Sequence, residues 1–416
     1  MINTPVSALM RDGRKRVEMM KAAVGLSTDP DTTRAGLDAA REVVDGLGGE
    51  QADFCVVFVT DEHADHLDGL LGAVSGVTGT PYVSGCSASG LLAGDRELEG
   101  GPAVGVLGVR ADRLRATPFL FRDEGDLGLT AGQRLGRRLD RSAGTDDIVL
   151  VWPDPLHVRP DRLLQGIASV LGKIRVVGGA ASGAGAEGST FQFSGSESAA
   201  AAVSGLRLRG RFRCAVGVTQ GCHPLGPAVR VTRAHGNMIL EIDGRSPLEV
   251  LRELAPEPLV SDLASAVDFL FVGLVPESGT GGPPPRKCTI RNIVDADPDT
   301  GVLVISDRLA EGSSIVFAIR EASEARSDMQ RMLDELRGGD GAHGYRFGLY
   351  FNCRARGSRL YGEPGVDIAM LRRAFPDLPL LGFFSNAEIA PVRGENRLLT
   401  YTGVLLLVGE ADGASA

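Results

Sequence analysis

Hydrophobic and polar positions fall into a block that occurs three times: an apolar strand, a polar loop, a helix, a second strand and a turn led by glycine. The apolar runs Asp53–Val59, Asp147–Trp152 and Arg346–Phe351 open the blocks, and their lack of alternation predicts strands covered on both faces. Apolar residues then recur at helical spacing: Leu67, Leu70, Leu71 and Val74; Leu163, Leu164, Ile167, Val170 and Leu171; Ile368, Ala369 and Phe375. Second strands follow at Pro81–Gly85, Arg175–Gly178 and Pro379–Gly382, each running into a turn: Gly85–Gly90, Gly178–Gly183 and Gly382–Ala387. Strand-helix-strand crossovers are right-handed and parallel, so the three turns are expected at equivalent sheet edges, where α/β proteins place ligands.

A further β-like run follows each block, at Ala103–Val109, Cys214–Val218 and Leu398–Val408, and helices are predicted at Thr32–Leu47, Leu127–Leu139, Leu248–Leu254 and Glu321–Leu336. The expected fold class is α/β: two modules of repeated strand-helix-strand units with Gly-led turns, in mixed sheets flanked by helices. A length of 416 residues fits two modules, and their seam is placed near Val231–Gly244. The boundaries expected are an N-terminal arm at 1–20, modules at 21–231 and 232–409, and a tail at 410–416. The Gly- and Pro-rich stretch Gly279–Pro285 reads as a mobile loop.

Composition narrows the partners. A net charge of -9 and 5% aromatic residues give neither a phosphate-neutralising field nor a base-stacking surface, so nucleic acid is not expected. The cations Arg11, Arg14, Lys15 and Arg16 read as a solvated arm. Six widely spaced cysteines are expected reduced, and the apolar runs are too short to span a bilayer. Without a signal peptide pattern, the expected location is the cytoplasm, with no membrane partner.

Several segments together resemble the FIST family: Ala23–Ser27, the Gly85–Gly90 turn, Gln220–Gly226 with Val231 and Thr232, then Ile290–Ile293, Cys353–Gly357 and Pro379–Pro391. The resemblance assigns 21–231 to a FIST N domain and 232–409 to a FIST C domain. It implies a sensory module in signal transduction that binds small ligands, with amino acids a suggested class, often attached to kinase, chemoreceptor or F-box parts. With no output domain read after Gly409, the signal is expected to pass in trans to a partner such as a kinase.

Cys353 ends a predicted buried strand and precedes Arg354, Arg356 and Gly357. Neighbouring cations favour a thiolate, which could attack an electrophile; otherwise the arginines clamp a carboxylate while the thiol lines the pocket, or the cysteine is inert. The turns offer backbone N–H groups and the side chains of Cys86, Ser87, Ser89, Ser182, Ser385 and Asn386 to an anion, and Glu388 could receive an amine. A cysteine enzyme built on Cys353 is one rival, though no histidine stands in a partner motif for it. A second rival is a haem-based nitric oxide sensor, which the resemblance raises. Its axial ligand would come from His63, His66, His157, His223, His235 or His343, but no cofactor or metal is assigned. The glycine spacing at Gly183–Gly188 leads into a strand-like run, so it is not read as a dinucleotide site, and Asp295, Asp297 and Asp299 are read as a hairpin turn.

Overall fold

The computed structural model describes residues 20–122, 125, 126, 128–138, 147–183, 190–256, 259, 269–275, 288–339 and 344–411. The cations between Arg11 and Arg16, the loop Gly279–Pro285, most of Gly183–Gly188, His343 and most of the tail lie outside the described residues.

Each expected block is the second half of a longer unit of strand, helix, strand, helix, strand, hairpin and closing strand. The first unit runs through Met20–Ser27, Thr32–Gly46, Phe54–Thr60, Leu67–Thr78 and Val83–Ala88, and closes with Val104–Ala111. The second runs through Leu114–Arg122, Leu129–Arg138, Ile148–Pro153, Pro160–Leu171 and Arg175–Gly179, and closes with Ala202–Gly210. The third runs through Phe212–Gln220, Ala322–Gly338, Tyr345–Cys353, Val366–Ala374 and Leu380–Ser385, and closes with Thr402–Glu410. Local chemistry fixes the helix ends. Asp31 caps the first helix through its carboxylate and the Arg34 N–H at 2.8 Å, Pro160 starts another, and Gly79 in left-handed conformation stops a third.

Within every unit the four strands take the same order: opening strand, closing strand, then the two block strands side by side and parallel. The hairpin does not stay at home. The first unit's hairpin, Leu91–Ala93 with Arg96–Leu98, completes the third unit's sheet. The second unit's, Gln192–Ser194 with Glu197–Ala199, completes the first, and the third unit's, Glu388–Val392 with Glu395–Leu399, completes the second. Three six-stranded mixed sheets flanked by helices thus interlock in a cycle, as α/β patterning required, and each sheet takes strands from two units. Their inner faces share one core, where Phe58 meets Trp152 edge-on at 5.6 Å and Phe383 at 4.5 Å, and Phe351 meets Phe383 at 5.8 Å. Burying each such ring stabilises the fold by about 1.5–3 kcal/mol before packing geometry is counted.

The parallel register explains the glycines. Gly85, Gly178 and Gly382 stand opposite Val57, Val151 and Tyr350, and a Cβ at each would lie 1.6, 1.9 and 2.2 Å from the facing carbonyl oxygen. Only glycine permits that approach.

An inserted domain interrupts the third unit between Gln220 and Ala322. Its strands Val229–His235, Met238–Ile242, Leu303–Ile305, Thr289–Ala296, Leu270–Val275 and Ser314–Arg320 are neighbours in that order, and the last pairs back onto both Val229–His235 and Leu270–Val275. The sheet is therefore a closed antiparallel barrel. Its core includes Val231, Ile242, Ile293 and Phe317, with Leu248 and Leu251 supplied by the helix Pro247–Leu254. The turn through Asp297 and Asp299 joins two antiparallel barrel strands, as a hairpin should.

Candidate functional site

The three Gly-led turns do converge, and they bond to one another. Positions four residues beyond the leading glycines are Ser89, Ser182 and Asn386. The Ser182 N–H donates to the Ser87 carbonyl at 3.2 Å, and the Asn386 N–H makes the equivalent bond to the Ala180 carbonyl at 3.1 Å. Symmetry would have the Ser89 N–H reach the Phe384 carbonyl. Instead the Ser182 hydroxyl stands between them, accepting from the Ser89 N–H at 2.8 Å and donating to the Phe384 carbonyl. The Ser87 N–H donates to the Phe191 carbonyl at 2.9 Å, while Ser87, Ser182 and Ser385 are buried. These N–H groups, read from sequence as exposed, are consumed in closing a ring.

The side chains beyond the third turn form a buried network. Arg356 binds Asp367 bidentately, through Nε to Oδ2 at 2.9 Å and Nη2 to Oδ1 at 2.8 Å, and the Tyr361 hydroxyl donates to Oδ1 at 2.8 Å. Burial would raise the Asp367 carboxyl, but the Arg356 guanidinium and these hydrogen bonds outweigh it and hold the group below its ordinary value. Arg356 is 1% exposed, so it clamps a residue of its own chain, not a ligand. Arg354 is half-buried and donates to Asn386 Oδ1 at 3.2 Å, and Gly357 adopts a positive φ next to Glu99, which accepts from the Ser358 N–H at 2.8 Å.

Cys353 corrects the expectation of a thiolate. Burial first, and the nearby Glu388 carboxyl second, push its thiol up to about 12, against the pull of the Ala355 and Tyr401 N–H groups and Arg356. Proximity in sequence placed two arginines beside it; the fold turned one to Asp367 and the other to Asn386. Cys86 is likewise buried and raised. A nucleophilic cysteine needs the opposite environment.

Glu388 is completely buried, with Ser385 Oγ 2.7 Å from Oε1 and Thr402 Oγ1 donating to Oε2 at 2.7 Å. Burial raises its carboxyl to about 8, against the pull of these hydrogen bonds and Arg356. Ser385 Oγ also lies 3.2 Å from the Asn352 carbonyl, so a protonated Glu388 can donate to Ser385 while Ser385 donates onward. The network thus brings Cys353, Arg354, Arg356, Ser385, Asn386 and Glu388 together in the interior, where Arg356 Nη1 makes no hydrogen bond to a described residue.

The open space lies elsewhere, in a cleft of about 1350 Å³ between the inserted barrel and the three-unit body. Its body wall is the helix Pro160–Leu171, the following Lys173 and the hairpin around Glu395–Leu399; its barrel wall is the edge carrying Thr289–Asn292 and Ile305–Arg308. Five cations, Arg159, Lys173, Arg291, Arg308 and Arg397, face three carboxylates, Asp161, Asp307 and Glu395. Arg291 pairs with Asp307 at 2.7 Å, Arg159 with Asp161 at 2.8 Å and Arg397 with Glu395 at 2.8 Å, each on its own wall. Behind the cleft the barrel leans on the body through hydrogen bonds and one ring contact: Thr400 Oγ1 donates to the Ile290 carbonyl at 2.9 Å, Tyr401 Oη to Asn292 Oδ1 at 3.0 Å and Gln220 Nε2 to the Cys288 carbonyl at 2.9 Å, and the Phe271 and Tyr401 rings lie 4.5 Å apart. Sequence reasoning missed these residues because no local motif marks them; the excess of cations is assembled from three distant segments.

The described histidines lie apart from the cleft. Buried His63 has Nδ1 3.0 Å from Thr32 Oγ1, His157 has Nδ1 3.1 Å from Asp154 Oδ2, and His66 and His235 are on the surface. His223 lies 3.6 Å from Glu324, and no described histidine lines the cleft. No group of three or more His, Cys, Asp or Glu side chains among the described residues could hold a metal ion, and no described helix is long and apolar enough to cross a membrane.

Residues 53–245 match the FIST N domain and residues 247–391 the FIST C domain, which are associated with small-ligand-binding signal transduction. An uncharacterized protein of Mycobacterium tuberculosis (strain H37Rv) is 33% identical over 394 residues, spanning 93% of this chain and 99% of the relative. One of Mycobacterium bovis is 32% identical over 391 residues, spanning 93% and 98%. Among solved structures, a chorismatase aligns over 94% of this chain and 98% of its own with TM-score 0.33 and 11% identity. A cyanuric acid hydrolase from A. caulinodans covers 46% and 71%, with TM-score 0.25 and 14% identity. With two family patterns covering most of its length and relatives aligned nearly end to end, the chain belongs to the FIST family, a FIST N domain followed by a FIST C domain.

Proposed function

We propose that this protein is a sensor that binds a small carboxylate, amino acids included, in the cleft between barrel and body and passes its state to a signalling protein. One observation carries the reading: an open, cation-rich cleft lies between two lobes that meet behind it through hydrogen bonds and the Phe271–Tyr401 ring contact. Ligand sites favour such junctions, and a guest touching both walls stabilises one relative placement of the lobes over others. The buried network at Cys353, Arg356 and Glu388 is the rigid side of this arrangement, holding the hairpin whose far end lines the cleft. Haem chemistry and cysteine catalysis are not proposed: no described histidine lines the cleft, and burial raises the Cys353 thiol to about 12.

A thermal-shift screen of amino acids and small carboxylates tests it. A compound at one hundred times its Kd stabilises the fold by about 2.7 kcal/mol, a rise of several degrees. A shift that disappears in Arg354→Ala would relocate the site to the rim of the turn ring; no shift from any compound would end the reading.

A further inference from the structure

The cleft's charges are divided between its walls in a way that selects among carboxylates. Three of the five cations already pair on their own side, and the carboxylates they use are the only ones among the described residues of the lining. The remaining two, Lys173 and Arg308, are exposed and stand on opposite walls, Lys173 beyond the helix of the body and Arg308 on the barrel edge. In a chain of net charge -9 this excess is local: five cations against three carboxylates leave the described lining net positive. The walls also feel each other: Asp307 of the barrel acts across the gap on Arg159 at the start of the body's helix. Asn237 and Asn292 of the barrel and Thr400 of the body add uncharged polar atoms to the same lining.

Resting on the sensor reading above, we infer that the cleft takes a small organic dicarboxylate whose two charges are held one by each wall, at Lys173 and Arg308. A monocarboxylate can neutralise only one of them and leaves the other wall as it was. Inorganic phosphate concentrates its charge on one centre, whereas the two cations are on separate walls. A molecule with a carboxylate at each end meets both, and in doing so draws barrel and body together, which gives the signal a structural form. The attraction acts across open solvent, so it weakens as salt shortens the Debye length to ~3 Å near 1 M.

Titration calorimetry on the full chain decides it, with succinate, glutarate and glutamate set against butyrate and inorganic phosphate, at low and high sodium chloride. The expected result is that at least one dicarboxylate binds ten times or more tighter than butyrate and phosphate, and loses that margin in high salt. Lys173→Ala and Arg308→Ala should each weaken that dicarboxylate at least tenfold while leaving the melting temperature of the unliganded protein unchanged. Butyrate or phosphate binding as tightly as every dicarboxylate would overturn the inference, as would dicarboxylate affinity indifferent to both variants. If a compound from the thermal screen still shifts the melting point in both variants, the dicarboxylate assignment falls and the sensor reading stands; silence in both experiments removes both.

Discussion

The ring of turns and the inter-lobe cleft both join segments far apart in the chain, yet they spend their polar groups in opposite ways. In the ring, N–H groups and hydroxyls from three units bond to one another, and Ser87 and Ser182 are buried. In the cleft, two cations have no partner among the described residues, and the walls belong to two lobes. The ring is conspicuous in sequence because tight strand pairing demands glycine there, and the cleft is silent because charge at a surface demands nothing of its neighbours. A motif that stands out can therefore mark how a protein is closed rather than where it binds.

The sharpest way to break this contrast is to cut the network on the sealed side. Arg356→Ala leaves the Asp367 carboxylate buried without its counter-charge, and breaking a buried pair in this way costs about 3–5 kcal/mol. Chemical denaturation should show that loss in full. Lys173→Ala and Arg308→Ala, exposed and without a partner among the described residues, should stay within about 0.5 kcal/mol of the parent. Equal losses on both sides would erase the distinction.

A smaller effect is expected from Ser182→Ala, which removes the bridging hydroxyl and leaves the Ser89 N–H and the Phe384 carbonyl without that bond. Unsatisfied buried groups cost about 1–3 kcal/mol. Restoring direct contact would need the first and third turns to approach, so the measured midpoint should fall by that amount unless the ring can close in its three-fold form. An unchanged midpoint would mean that it can.

How much of this could be read from sequence follows from the same physics. The block strands were legible because both faces are buried, which removes alternation: Phe54–Thr60 and Ile148–Pro153 are buried at every position. The helices Thr32–Gly46, Leu129–Arg138 and Ala322–Gly338 were legible as helices but not as parts of the repeat, since the inserted barrel separates the last from its opening strand. The barrel itself was missed. Its strand Val229–His235 has one fully buried position, and Leu303–Ile305 is three residues long, so neither carries a clear period. Hairpin exchange was invisible for another reason: the apolar pattern of Leu91–Ala93 fixes that it pairs, but not with which sheet. At Cys353 the error was to treat neighbours in sequence as neighbours of the thiol, when the strand end turns their guanidinium groups toward Asp367 and Asn386.

The three units also permit an internal test on the sealed side. Glu388, Gln192 and Leu91 occupy equivalent places, each opposite the residue that follows a leading glycine: Gly179, Cys86 and Phe383. One position thus holds a carboxylic acid, its amide counterpart and a hydrocarbon in three copies of one arrangement. Burial raises the Glu388 carboxyl from its ordinary 4.5 to about 8, so in that window the folded chain keeps a proton that the unfolded chain has released. The folded state binds more protons there, and stability must fall as pH rises, by up to ~1.4 kcal/mol per pH unit from this group alone. Glu388→Gln installs the residue found at the equivalent place in the second unit's hairpin and removes the titration. Its amide can still accept from Thr402 and donate to Ser385. The difference in unfolding free energy between variant and parent, measured from pH 5 to pH 8, should therefore move steadily in the variant's favour and level off above pH 8. A difference independent of pH would show that Glu388 is ionised in the fold and that Ser385 donates to a carboxylate.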